Sequence, residues 1–120
     1  MKIRINGPSI RLRLSQTEVD QICSQGKVTT ICPVGDQRLS YSLAIDQSDC
    51  MHANIQHGNI TVYVPQNLIT GWATDQRVGF DDTTKDGLYL LVEKDFQCLK
   101  PRSYEDESDL YINPNAGESC

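Results

Sequence analysis

The first fourteen residues alternate between charged and apolar side chains. In residues 2–5 lysine and arginine alternate with isoleucine, and in residues 10–14 arginine alternates with isoleucine and leucine. A period of two is typical of a strand with one buried face and one exposed face. Residues 6–9, Asn-Gly-Pro-Ser, are typical of a tight turn. The pattern predicts two strands that pair as a hairpin and carry their charged side chains on one face.

A helix is predicted directly after the second strand. Ser15 and Glu18 match a capping box, in which the two side chains bond the free N–H groups at a helix start. Gly26 is placed to end this helix in the left-handed conformation. A second short helix is predicted after Pro65, where the following apolar residues share one helical face. We therefore expect two helices, near residues 15–25 and 65–74.

Alternation with a period of two returns over most of the remaining chain. It predicts six further strands, near residues 28–31, 39–45, 52–56, 60–64, 78–80 and 88–92. Turn-rich segments separate these strands, and the four in the middle of the chain are expected to form an antiparallel meander. The predicted fold class is α+β: a single domain with one antiparallel sheet of six to eight strands, whose strong curvature is left open, and two short packed helices.

Length and composition favour one folded domain. The chain has 120 residues, of which 38% are hydrophobic and 22% are charged, values typical of globular proteins. We expect the domain over residues 1–102 and an acidic C-terminal tail over residues 103–120, which packs on the domain or trails from it. Neither a signal peptide nor an apolar run long enough to cross a bilayer is visible. The sequence thus predicts a cytoplasmic protein that does not bind a membrane.

The five cysteines form neither a disulfide framework nor a zinc motif, because none of them is closely paired with another cysteine or with a histidine. Cys23, Cys32 and Cys50 are expected to be free buried thiols. For Cys98 and Cys120 three states remain open: free, paired with each other, or metal-bound.

Charge is distributed unevenly along the chain, whose net charge is −5. Residues 1–14 contain four basic side chains and no acid, whereas residues 103–120 contain five acidic side chains and no lysine or arginine. The four basic residues, which are candidates for binding an anion or a protein partner, are Lys2, Arg4, Arg11 and Arg13. Because the chain lacks a broad basic stripe, nucleic acid is not an expected partner. The sequence favours a non-enzymatic binding or accessory module for a protein partner or small anion.

The predicted hairpin would crowd these four cations together. Like charges opposite one another on paired strands repel, so such a face needs an anionic neighbour. Residues 104–112 contain four acidic side chains together with apolar ones that could dock. We predict that residues 104–112 lie across or near the basic residues. The alternative is a disordered acidic tail and an openly solvated face.

A second candidate region follows the last predicted strand. Standard catalytic and nucleotide-binding motifs are missing, so no cofactor is predicted. Glu93 and Asp95 are two residues apart at a strand end and so share a face, and Cys98 follows close behind with basic neighbours that can lower a thiol pKa. The alternative function is therefore a small metal- or thiol-dependent enzyme using Cys98 with Glu93 and Asp95, in which Cys98 and Asp95 are the candidate metal ligands. Without such a role, this region is a strand end with solvated charges.

Two stretches carry a resemblance to known proteins. They are Lys-Ile-Arg-Ile-x-Gly-x-Ser-Ile-Arg-Leu-Arg-Leu at residues 2–14 and Leu-Val-Glu-Lys-Asp-Phe-x-Cys-Leu-x-Pro-Arg-x-x-Glu-Asp-Glu at residues 91–107. Together with residues 35–39 and 113–114, they resemble a family of small uncharacterised bacterial proteins. The resemblance implies a bacterial origin and a single domain. It brings no assigned activity and no catalytic residue.

Overall fold

The computed structural model describes residues 1–97 and 108–112, and each predicted helix and strand has a counterpart in it. The elements in chain order are β1 (Lys2–Ile5), β2 (Ser9–Leu14), α1 (Gln16–Gln25), β3 (Lys27–Val34), β4 (Gln37–Asp46), β5 (His52–Gln56), β6 (Asn59–Pro65), α2 (Gln66–Ile69), β7 (Gly79–Thr83) and β8 (Tyr89–Lys94). The fold is thus α+β-like, mostly sheet with two short helices.

The strands form two sheets of four. The terminal sheet has the order β1-β2-β8-β7, and the middle sheet has the order β3-β4-β6-β5. Each sheet consists of two antiparallel hairpins joined by a parallel pair, β2 with β8 in the terminal sheet and β4 with β6 in the middle sheet. The prediction of one antiparallel sheet, with a meander in the middle of the chain, is therefore wrong.

Burial explains the strand order of the middle sheet. β6 buries side chains on both of its faces, including Val62, Thr61 and Val64, whereas three of the five residues of β5 are exposed. An apolar strand gains from neighbours on both sides, while a polar strand is suited to a sheet edge. A meander would place the polar β5 between β4 and β6. The observed order instead puts β6 inside the sheet and β5 at its edge.

Helix α1 begins and ends as predicted. The Ser15 side chain accepts a hydrogen bond from the Glu18 N–H, and the Glu18 carboxylate accepts one from the Ser15 N–H at 3.0 Å, which completes the capping box. At the other end Gly26 has a φ of +79°, a left-handed conformation that favours glycine. The local capping signals were therefore sufficient to place this helix.

Helix α2 is shorter than the predicted span of residues 65–74, because it ends at Ile69. The chain turns sharply at Gly71, whose φ is +80°, and the Trp72 N–H donates to the Ile69 carbonyl at 2.9 Å. Pro65 offers no side-chain hydrogen bond to the helix start. The apolar residues after Ile69 therefore reach the core from a series of turns. Neither α1 nor α2, the helices of the described residues, is long and apolar enough to cross a membrane.

One hydrophobic core connects both sheets and both helices. Its fully buried members include Leu12, Leu14, Leu90 and Val92 from the terminal sheet, Leu43, Val62 and Val64 from the middle sheet, Val19 and Ile22 from α1, and Ile69 and Trp72 around α2. A polar contact also links the start of β5 to β7, since the Met51 N–H donates to the Asp82 carboxylate at 3.2 Å. The terminal sheet thus packs one face against this core, and we call the opposite face its outer face.

Lys94 is a buried cation at the end of β8. Its Nζ donates to the Asp75 carbonyl at 2.9 Å and lies 5.2 Å from the centre of the Tyr111 ring and 5.9 Å from that of the Trp72 ring. Burial lowers the pKa of Lys94 below its usual value and raises the pKa of Tyr111 to about 12. Lys94 thus joins three separate parts of the chain at one end of the terminal sheet.

Residues 108–112 pack against α1 and the end of β8. The Gln16 N–H donates to the Asp109 carbonyl at 3.0 Å, and the Tyr111 N–H donates to the Asp95 carbonyl at 2.8 Å. Leu110 is buried at 8% exposure. Asp109 also accepts a hydrogen bond from the Thr17 N–H at 3.3 Å. These contacts place an acidic residue at the positive end of the α1 dipole.

The cysteine prediction is correct in part. Cys23, Cys32 and Cys50 are free thiols, but only Cys23 is even half-buried, and the other two are exposed. Cys32 lies in the second half of β3, where all four residues are exposed, and Cys50 lies in the loop before β5. Their predicted burial was therefore wrong. Cys98 and Cys120 lie outside the described residues.

Candidate anion-binding face

The four predicted basic residues lie side by side on the outer face of the terminal sheet. In the antiparallel β1–β2 register, Lys2 lies opposite Arg13 and Arg4 lies opposite Arg11. Directly opposite side chains have Cβ atoms about 5 Å apart, and same-face neighbours along a strand are about 6.6 Å apart. We call Lys2, Arg4, Arg11 and Arg13 the basic face. The intervening residues of β2, such as the buried Leu12, point to the core.

Glu93 of β8 is the acidic neighbour of two of these cations. The parallel β2–β8 register places Glu93 beside Arg13. The Arg13 Nε donates to Glu93 Oε1 at 3.0 Å, and the Arg11 Nε lies 3.6 Å from the same oxygen. The Glu93 side chain is only 19% exposed. One partly buried carboxylate is therefore shared between two guanidinium groups.

Asp95 is the acidic neighbour of Lys2. Its carboxylate lies 2.9 Å from the Lys2 Nζ, and the residue is 5% exposed. The Asp95 N–H donates to the Leu14 carbonyl at 2.8 Å, so strand pairing fixes its position. Glu93 and Asp95, the predicted acid–base groups of the alternative enzyme, thus pair with cations of the basic face. Cys98, the third member of that set, lies outside the described residues.

Arg4 differs from the other three cations. It is exposed, and within residues 1–97 and 108–112 its side chain makes no ion pair or hydrogen bond. It lies between two shallow grooves, of about 190 Å³ and about 170 Å³. The first is lined by Lys2, Ile3, Arg4, Arg11 and Arg13, and the second by Arg4, Asn6, Ser9, Ile10, Arg11 and Tyr89. The pair of Arg4 and Arg11 therefore borders both grooves.

Tyr89 was not among the predicted site residues. Its hydroxyl donates to the Asp81 carboxylate at 2.6 Å, and this hydrogen bond raises the pKa of Tyr89. The parallel pairing of β2 with β8 brings Tyr89 next to Ser9, eighty residues earlier in the chain. No local pattern indicates a pairing over that distance, so the sequence carried no signal for this residue.

Residues 104–112 were predicted to lie across the basic face, and the structure describes residues 108–112 of this segment. Asp109 lies at the start of α1, where it bonds the Gln16 and Thr17 N–H groups. The acids at positions 105–107 lie outside the described residues. The docking of residues 104–112 on the basic face stays a prediction, while Glu93 and Asp95 supply anionic neighbours that the prediction did not assign.

The histidines do not contribute to the basic face. His52 Nε2 lies 2.7 Å from the Asp46 carboxylate, and its ring stacks on Tyr63 with centroids 4.7 Å apart. His57 is exposed in the turn between β5 and β6. Among the described residues, no group of three or more histidine, cysteine or acidic side chains is arranged to hold a metal ion.

Comparison with known proteins places the chain in a family. A model described as a family of unknown function, DUF7009, matches residues 1–115. The chain belongs to this family. The match includes both sheets and every residue of the basic face, and it confirms the resemblance seen in the sequence to an uncharacterised family. No curated protein and no solved structure matches the chain.

Proposed function

We propose that the chain is a non-enzymatic binding module of the bacterial cytoplasm, and that its basic face holds an anionic ligand. Arg4 is the observation that carries this proposal. It is an exposed guanidinium with no ionic partner among the described residues, and it lies between two grooves that Arg11 also lines. Guanidinium groups are suited to phosphate and carboxylate groups because their planar N–H donors match two oxygen atoms at once.

The charge balance of the face supports the same conclusion. The face has four cations, and among the described residues two carboxylates, those of Glu93 and Asp95, form ion pairs with them. The whole chain has a net charge of −5, so this face is an exception on an acidic protein. A local positive field of this kind attracts anions and raises their rate of association.

The positions of Glu93 and Asp95 also favour binding over catalysis. Both carboxylates are paired with cations, at 3.0 Å from the Arg13 Nε and 2.9 Å from the Lys2 Nζ. Both side chains are therefore already engaged by cations of the basic face. This supports a role in which the two acids set the charge of the face.

A calorimetric titration with pyrophosphate tests the proposal. Arg4→Gln removes a charge that has no ionic partner in the part of the chain that the structure describes, and it keeps a polar side chain. We expect it to weaken pyrophosphate binding about fivefold, or about 1 kcal/mol. Arg38→Gln is the matched control, because Arg38 is an exposed arginine on β4 of the other sheet. We expect Arg38→Gln to leave the affinity unchanged.

The salt dependence of the same titration adds a second criterion. Exposed ion pairs are screened by salt, so the affinity of the unmodified chain should fall as ionic strength rises. Equal affinities of the Arg4 and Arg38 variants, or no heat of binding at low salt with the unmodified chain, would contradict the proposal.

A further inference from the structure

Among the described strands, β1 lies at an edge of the terminal sheet. In the antiparallel β1–β2 hairpin the Asn6 N–H donates to the Ser9 carbonyl at 3.1 Å. Hydrogen-bonded and non-hydrogen-bonded residue pairs alternate along such a hairpin, so the backbone groups of Lys2 and Arg4 bond to β2. The N–H and carbonyl groups of Ile3 and Ile5 therefore point away from β2. The part of the chain that the structure describes contains no partner for these outward groups. Such an edge is a template for one more strand.

The basic face and this edge are continuous. Lys2 and Arg4 lie on β1 itself, on the same face as Arg11 and Arg13 of the next strand. A strand added to the edge would present alternate side chains beside Lys2 and Arg4 and the remaining ones beside Ile3 and Ile5. Ile5 is 58% exposed, so it offers apolar surface to such a neighbour.

The charges select the kind of strand that can bind. A second copy of this chain, paired edge to edge, would place lysine and arginine opposite lysine and arginine, which is unfavourable. An acidic strand would instead place one carboxylate beside Arg4, which has no ionic partner among the described residues, and another beside Lys2, which already pairs with Asp95. Successive same-face positions on a strand are about 6.6 Å apart, which is also the spacing of Lys2 and Arg4.

We propose that the ligand of the basic face is an acidic peptide segment that adds to β1 as a fifth strand of the terminal sheet. Its acidic side chains occupy alternate positions beside Lys2 and Arg4, and its apolar side chains lie beside Ile3 and Ile5. Backbone hydrogen bonds to Ile3 and Ile5 supply affinity, while the alternation of acidic and apolar residues supplies specificity. This inference rests on the proposed function, since it names the ligand class for the same face.

Three peptides of matched composition test it on the full chain by calorimetry. The first is acetyl-Gly-Val-Glu-Val-Glu-Val-Gly-amide. The second has the same residues with the two glutamates adjacent, so its carboxylates cannot lie on one face of a strand. The third is the first peptide with its central amides N-methylated, so it keeps its charge and side chains but lacks strand donors. Arg38→Gln again serves as the protein control.

We expect the alternating peptide to bind at least fivefold more tightly than either of the other two peptides. We also expect Arg4→Gln to remove most of that difference, while Arg38→Gln does not.

Equal binding of the three peptides, with pyrophosphate still bound, would overturn strand addition and leave the anion-binding proposal standing. Binding of neither pyrophosphate nor any peptide would overturn both. Preferred binding of the alternating peptide that survives Arg4→Gln would place the added strand on another edge and would also overturn the inference.

Discussion

Trp72→Ala is expected to lower the free energy of unfolding by about 3–5 kcal/mol, which is a large part of the stability of a domain of this size. Trp72 is completely buried, and its ring lies 4.9 Å from the Phe80 ring at a tilt of 58°. Its Nε1–H donates to the Arg77 carbonyl at 3.1 Å. The substitution would leave a cavity beneath the terminal sheet and an unpaired carbonyl.

Urea unfolding followed by circular dichroism measures this effect, because the chain has one tryptophan and the variant loses that fluorescence signal. Trp72→Phe is the control, since it keeps an aromatic ring but loses the N–H donor. We expect it to cost about 2 kcal/mol. A loss below about 1 kcal/mol for Trp72→Ala would show that Trp72 does not hold the segment after α2 against the sheet.

Glu93→Gln is expected to strengthen pyrophosphate binding about tenfold while it destabilises the fold by about 1 kcal/mol. The carboxylate partly neutralises Arg11 and Arg13, with its Oε1 atom 3.6 Å and 3.0 Å from their Nε atoms. Removing this charge frees both guanidinium groups for the ligand and removes the repulsion between the carboxylate and the anion. The same change weakens the contact between β2 and β8, so affinity and stability should move in opposite directions.

Asp36→Asn is the matched control for Glu93→Gln. Asp36 is an exposed acid in the turn between β3 and β4, and its replacement makes the same change in net charge. We expect this control to alter neither quantity beyond a small general effect of charge. If Glu93→Gln changes pyrophosphate affinity no more than Asp36→Asn does, then the ligand does not use Arg11 and Arg13.

Local patterns predicted the elements that depend on local interactions. The alternation of residues 2–5 and 10–14 was sufficient to predict the β1–β2 hairpin and the common face of its cations. The Ser15 and Glu18 capping box located the start of α1. In each of these cases, the interacting residues lie within about a dozen positions of one another, so spacing alone determines their geometry.

The assembly of hairpins into sheets depended on contacts that spacing does not reveal. Nothing near residues 9–14 indicates that they pair in parallel with residues 89–94, which creates the contacts of Glu93 with Arg11 and Arg13. The sequence shows that β5 is polar. Its position at the edge of the sheet, which leaves β4 beside β6, depends on how all four strands pack together. The four basic residues and the acids Glu93 and Asp95 could therefore be singled out from the sequence, whereas the pairing of these acids with the cations and the adjoining Tyr89 could not.

The central claim is that the basic face is where the chain binds an anion, and side-chain NMR tests it most directly. In ¹H–¹⁵N spectra the arginine Nε–Hε signals report on each guanidinium separately, and the Arg38 and Arg77 signals serve as internal controls. On titration with pyrophosphate at low salt, we predict the largest shifts for Arg4 and Arg11 and a smaller one for Arg13, because Arg13 is bonded to Glu93 at 3.0 Å. Largest shifts at Arg38 or Arg77, or uniform shifts of all the arginines, would contradict the claim.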